Sequence, residues 1–242
     1  MLTGSSTVAP IMLDIANEFE KLNPSSTIEV QTGGSTRGII DIKRGLSQIG
    51  MISRALKPSE KELNHKTIAI DGLGVILHSS NSVTDLTKKQ LTDIYTGKIK
   101  SWKQLGWKDK PITVVHKAEG RSTLELFLGY LNLKNSKIKP HLIIGDNEQG
   151  IKTVTGNPYA IGYVSIGAAN YNIKNKAPLK LVSLDGIQAI RANIINKTYP
   201  IVRSLNLIYK GQLTEPSKKL LSFTTGPEAL KVLEKHYVIS PQ

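Results

Sequence analysis

Apolar residues recur along this chain at two spacings that take turns. Ile11, Ile15, Phe19 and Leu22 form a helical stripe that opens at Pro10, a residue suited to a first helical turn, and stops at Asn23-Pro24. Residues 27–31 alternate polar and apolar as a half-buried strand does. They run into Thr32-Gly33-Gly34-Ser35-Thr36-Arg37-Gly38, after which Ile39, Ile40 and Ile42 begin a short helix. The same unit returns later: Ile112-Thr113-Val114-Val115 reads as a strand, 117–123 as its loop, and Leu124, Phe127, Leu128 and Leu131 as the next helical stripe. Ser122 and Glu125 have capping-box spacing, which places that helix start near Ser122. Two apolar strands, 68–70 and 75–77, lie between the units, and 201–209 is a long apolar strand downstream. Strand-like and helix-like segments in alternation predict an α/β protein with a largely parallel sheet. Crossings placed near His78 and Arg203 divide it into a discontinuous lobe, 1–78 plus 203–242, and a second lobe, 79–202.

Composition narrows the class. With 242 residues, 39% of them hydrophobic, the chain can bury a sizeable core. No stretch approaches the roughly 18 consecutive apolar residues of a membrane-spanning helix. Met1-Leu2-Thr3-Gly4 is not a signal peptide, since no apolar region follows a basic one. The expectation is a cytosolic protein, or one whose targeting segment has been removed and replaced by Met1. The absence of cysteine excludes disulfides, thiolate metal sites and cysteine nucleophiles. The net charge of +13 admits two readings: a face for nucleic acid or an acidic membrane surface, or a field that steers small anions into a cleft. Lysines spread along the chain and aromatics at 5% argue against a stacking platform for single strands.

Three segments place small hydroxyl residues just before a helix: Gly4-Ser5-Ser6-Thr7, Gly33-Gly34-Ser35-Thr36 and Gly120-Arg121-Ser122-Thr123. The first N–H groups of a helix lack an internal partner and, with the helix dipole, attract anions. Glycine allows close backbone approach, and hydroxyls add donors at low volume. Arg37, Arg54, Lys117 and Arg121 stand beside these loops as countercharge. Taken singly, each loop is an ordinary N-cap. Taken together they predict an anion site, because the second and third follow strand ends, where open α/β sheets bind ligands.

Enzyme signatures are missing. There is no G-x-x-x-x-G-K-[ST], no G-x-S-x-G and no H-E-x-x-H. His65, His78, His116, His141 and His236 lack metal-ligand spacing and read as surface or loop residues. Asp14 and Glu18 read as a solvated helix face, and Gly145-Asp146-Asn147 as a turn. No catalytic residue, metal site or cofactor is expected.

Nearly the whole chain resembles the PstS-type substrate-binding components of bacterial phosphate ABC transporters. The resemblance is carried by Gly4-Ser5-Ser6-Thr7-Val8-Ala9-Pro10, by Gly33-Gly34-Ser35-Thr36-Arg37-Gly38, by Ile49-Gly50-Met51-Ile52-Ser53-Arg54 and by Ala160-Ile161-Gly162-Tyr163-Val164-Ser165. Its most specific stretch is residues 86–102, ending Tyr95-Thr96-Gly97-Lys98-Ile99-Lys100-Ser101-Trp102. The resemblance implies a two-lobed type II periplasmic binding protein (Venus-flytrap) fold, each lobe a mixed sheet flanked by helices, with a cleft that closes on the ligand. It implies phosphate contacts from Thr7 and the Val8 backbone, from Ser35 and Thr36, and from Ser53 or Arg54. Lys117, Arg121, Ser122 and Thr123 would complete the cage. It further implies a monomer that delivers inorganic phosphate to the membrane permease subunits of an ABC importer. Such a protein is exported, and is periplasmic or lipid-anchored on the outer face of the cytoplasmic membrane.

Three positions depart from the family pattern. Arg54 stands where many members have Asp, Lys117 where many have Arg, and Arg121-Ser122-Thr123 where many have Ser-Gly-Thr. Protonated phosphate needs an acceptor that sulfate does not, and without that Asp the candidate is Glu119. Lysine also forgoes the bidentate donation of arginine. The departures keep sulfate or molybdate open as alternative ligands. A nucleic-acid or anionic-surface binder and a phosphate-handling enzyme are the rival classes.

Overall fold

The computed structural model describes residues 1–241. Its first stretch comprises β1 (Leu2–Gly4), α1 (Ala9–Leu22), β2 (Val30–Thr32), α2 (Ser35–Lys43), β3 (Ile49–Ile52) and β4 (Asn64–His78). The middle comprises β5 (Asp85–Leu86), α3 (Lys88–Tyr95), β6 (Thr113–Lys117), α4 (Ser122–Leu131), β7 (Leu142–Ile144), α5 (Asn147–Gly156), β8 (Ala160–Ser165), α6 (Ile166–Lys174), β9 (Leu179–Leu184) and α7 (Arg191–Ile195). The chain ends with β10 (Val202–Tyr209), α8 (Glu215–Phe223) and α9 (Pro227–Lys235). By their contacts, Met1–Asp71, Gly120–Ser122 and the chain from Arg203 onward make one unit, and Gly72–Glu119 with Thr123–Val202 the other.

In the first unit β1 pairs in parallel with β2 and β3, and β10 runs antiparallel to β3. Helix α1 lays Ile11, Ile15 and Phe19 into a core with Leu205 and Leu207 of β10 and Leu233 of α9. Phe19 meets Phe223 edge-on at 5.4 Å. The predicted stripe ends one turn early, because Leu22 is two-thirds exposed beside the helix end at Asn23. The strand expected at 27–31 is ordered as β2 only from Val30, where its pairing to β1 begins.

In the second unit β6 pairs in parallel with β7 and β8, β4 runs antiparallel to β8 and β9, and β5 is parallel to β9. The sheet is therefore mixed. Phe127 stacks on Tyr163 with centroids 3.9 Å apart, and Tyr95 packs edge-on against Phe127 at 4.6 Å.

The two short strands expected at 68–70 and 75–77 are one strand, β4. Gly72 and Gly74 lie inside it and serve close packing. A Cβ on Gly72 would stand 2.4 Å from Ile166 Cδ1, and one on Gly74 2.3 Å from Leu181 Cδ2.

Candidate anion-binding site

In the first unit, two loops bring hydroxyls to one buried arginine, and a third joins them through Ser35. Strand β1 ends at Gly4, whose φ of +136° and whose absent Cβ (it would lie 2.2 Å from Met51 O) suit only glycine. The turn then closes on Ser5: Thr7 N donates to its Oγ at 3.2 Å, and Val8 N and Ala9 N to its carbonyl at 3.2 and 2.9 Å. The Val8 amide, an expected ligand contact, is thus engaged within its own turn.

Helix α2 begins at Ser35, behind an N-cap glycine, Gly34, with φ +94°. Ser35 Oγ accepts from Ser53 N at 3.2 Å. Arg203 of β10 donates from one terminal nitrogen to Ser53 Oγ at 3.3 Å and from the other to Thr7 Oγ1 at 3.2 Å. The same guanidinium donates to Asp71 Oδ2 from Nε at 3.1 Å and from the second terminal nitrogen at 2.8 Å. Thr7, Ser35 and Ser53 are all buried. A hydroxyl whose oxygen accepts from a guanidinium or an amide has its own proton to give, so this cluster is polarised toward donation.

Arg54 differs from the expectation for it. Its guanidinium is committed to Glu60 through two 2.8 Å bonds and to Ala55 O at 2.8 Å, in a pair only 8% exposed on each side. Burial alone would raise the Glu60 pKa, but the Arg54 hydrogen bonds, the Lys57 amide and the Arg54 charge hold it below the ordinary carboxylate value. Arg37 turns toward Asp41, Thr32 O and Gln31 Oε1 at the β2 end of its loop. Thr36 is half-buried, and its amide donates to Gly120 O at 3.2 Å, within the first unit's own contacts.

In the second unit β6 ends at Lys117; α4 opens at Ser122, grouped with the first unit, and Thr123, of the second, both buried. The capping box expected from Ser122 and Glu125 is not what Ser122 makes. Ser122 is already the first helical residue, and its Oγ is buried without a partner, as is Arg121 Nε. Lys117 Nζ donates to Asp146 O and stands 3.5 Å from Asn147 Oδ1. The expected turn at 145–147 is the capped start of α5, where Asp146 Oδ1 accepts from Gln149 N at 2.8 Å.

Two further expectations are corrected. His116 is 3% exposed, not a surface residue, and burial lowers its pKa. Asp14 is not merely solvated: it pairs with Lys235 at 2.8 Å and His236 at 3.0 Å, joining α1 to α9. Glu119, the candidate proton acceptor, is exposed and accepts from Asn135 at 3.1 Å. Asp71 and Arg203 were missed as site residues. Their signal was a charge embedded in an apolar strand on each side, a pattern stable only when the two charges pair.

Among the described residues no group of three or more His, Cys, Asp or Glu is arranged to hold a metal, and no helix is long and apolar enough to cross a membrane. The arrangement is rich in donors. What it can do chemically is hold an oxyanion.

A PBP superfamily domain matches residues 1–228. The phosphate-binding protein PstS of Bacillus subtilis is 30% identical over 243 residues, covering 98% of this chain and 79% of that protein. The chain belongs to the PstS family. A PstS-family structure from Clostridium perfringens, assigned as a phosphate ABC transporter substrate-binding protein and solved with bound phosphate, is 35% identical with a TM-score of 0.92. The match covers 100% of this chain and 98% of that one. An ABC-type phosphate transport receptor from Vibrio cholerae is 30% identical, with a TM-score of 0.80 and 99% coverage of both chains. The type II binding-protein fold expected from the PstS resemblance is thereby established.

Proposed function

We propose that this chain captures inorganic phosphate and delivers it to the permease subunits of an ABC importer. The observation that carries the reading is the joining of Thr7 and Ser53 to Arg203, with Ser35 bonded to the Ser53 amide, so that each hydroxyl oxygen accepts from an N–H group. The names of its relatives support the same ligand. In this reading Thr7, Ser35, Thr36 and Ser53 give hydroxyl donors from the first unit's loops, the Val8 amide being engaged by Ser5 O, and Lys117, Arg121, Ser122 and Thr123 give donors from the end of β6 to the start of α4. Arg54 contributes by holding its loop through Glu60, with its charge already matched.

No chemistry is done on the ligand. The hydroxyl oxygens of Thr7, Ser35 and Ser53 accept from a guanidinium or an amide, an arrangement for holding an anion and not for activating a nucleophile. The protein acts as a monomer outside the cytoplasmic membrane, periplasmic or lipid-anchored, with phosphate and the permease as partners and no role for nucleic acid.

Isothermal titration with phosphate and sulfate tests this. Micromolar or tighter phosphate binding with little response to sulfate is expected. Equal affinity for the two, or none for phosphate, overturns it.

A further inference from the structure

Behind Lys117 lies a buried chain of hydrogen bonds with a fixed direction. Lys117 N donates to Tyr163 Oη at 3.2 Å. Tyr163 Oη lies 2.9 Å from His116 Nδ1, and His116 Nε2 lies 2.9 Å from Asn135 Oδ1. Asn135 Nδ2 donates to Glu119 Oε1 at 3.1 Å.

The far end dictates the polarity. A carboxylate only accepts, so Asn135 turns its amide nitrogen to Glu119 and its carbonyl to His116. His116 must then carry its proton on Nε2 and present a bare Nδ1. Tyr163 donates to that Nδ1, which orients its oxygen lone pairs toward the Lys117 amide. Tyr163, His116 and Asn135, between the Lys117 amide that donates and the Glu119 carboxylate that accepts, are each donor on one side and acceptor on the other. All four links converge on the segment from His116 to Glu119, at the root of the loop that ends in Ser122 and Thr123.

We propose that His116 and Tyr163 are positioning residues for the anion site, holding Lys117 and the 117–123 loop in place through the unprotonated Nδ1 of His116. The inference rests on Lys117 being a ligand group, as read above. It explains why a histidine is buried among aromatic rings in a protein that does no acid–base chemistry. The groups facing His116 are Lys117 on its own strand, Tyr163 from β8, Tyr95 from α3 with ring centroids 6.1 Å apart, and Asn135, which bridges to Glu119. The one carboxylate among them is reached only through Asn135, so a second proton on His116 meets no direct counter-ion. That proton would take the acceptor from Tyr163 and set a cation beside Lys117.

The test compares phosphate affinity by titration calorimetry from pH 8 to pH 5 in the parent protein, His116→Gln, Tyr163→Phe and Lys117→Ala. Tyr163→Phe keeps the ring stacked on Phe127 and removes only the hydroxyl, so it isolates the chain even if the His116 variant folds poorly. Each of the first two variants is expected to weaken binding about tenfold at pH 7.5. The ratio of parent to variant affinity is expected to hold for as long as His116 stays neutral and to fall once it takes a second proton; phosphate's own titration is common to all and cancels. A ratio that stays at one while Lys117→Ala still weakens binding overturns the positioning role alone. Unchanged affinity in Lys117→Ala overturns the ligand reading on which it rests. Nitrogen NMR of the ligand-free protein tests the hydrogen-bond direction independently of affinity. His116 protonated on Nδ1 at neutral pH, or a Lys117 amide resonance unmoved by Tyr163→Phe, also overturns the proposal.

Discussion

Arg203 and Asp71 face each other across 2.8 Å with side chains 1% exposed, and Arg203 alone links two of the three hydroxyl loops. A buried pair of this kind contributes less as an attraction than it costs to break, because the survivor is left charged and desolvated. Asp71→Ala is expected to destabilise the protein by about 3–5 kcal/mol in urea unfolding. The double variant Asp71→Ala with Arg203→Met removes both charges and is expected to recover much of that stability. It should not recover phosphate binding, since Thr7 and Ser53 lose the donor that orients them. Restored binding in the double variant would show Arg203 to be scaffolding only.

Glu60 makes the Arg54 pair sensitive to pH. Its folded pKa lies below its unfolded value, so the pair stabilises above the unfolded pKa, roughly 4.3, and that stability is lost as pH falls through the folded value. Glu60→Gln is expected to cost on the order of 3 kcal/mol at pH 7, and the gap to the parent protein should begin to narrow only once the pH falls below the unfolded value. Urea midpoints measured from pH 7 to pH 3 in both proteins check the sign.

Gly4→Ala tests the turn that delivers Thr7. Its backbone needs φ +136°, and the new methyl would overlap Met51 O. A loss of about 2–3 kcal/mol is expected, with weaker phosphate binding at temperatures where the variant remains folded. Thermal melts and calorimetry together measure it.

Ser122 separates stability from binding. Its Oγ is buried without a partner, so Ser122→Ala removes an unsatisfied group and should leave the ligand-free protein as stable or up to about 1 kcal/mol more so. Phosphate affinity should fall about tenfold, the loss of one hydrogen bond to an anion. Ser35→Ala should weaken binding comparably while leaving Ser53 N without its acceptor, at some cost to stability.

The α/β class and the helices behind the hydroxyl loops were legible because each rests on local signals: the stripe from Ile11 to Phe19, the glycine before Ser35, the strand before Lys117. Ser35 stood out for the same reason, whereas Ser53 was named only through the resemblance to PstS-type proteins. What escaped the sequence is what depends on partners distant along it. The bond between Arg203 and Thr7 spans 196 positions, and only folding brings them together. Arg54 could not be told from a ligand until Glu60, six residues on, was seen to claim its guanidinium. His116 looked like any loop histidine because its partners, Tyr163 and Asn135, lie on other elements.

Strand β10 pairs with β3 yet is encoded after almost everything else. A ribosome therefore emits all of the second unit before the first can complete its sheet. Until residue 202 and beyond have emerged, β3 lacks its β10 partner, Asp71 waits without Arg203, and Thr7 and Ser53 lack the guanidinium that joins them. A premature stop anywhere before β10 would thus release a chain whose middle can fold but whose anion loops cannot, and the ability to bind would arrive among the last events of synthesis.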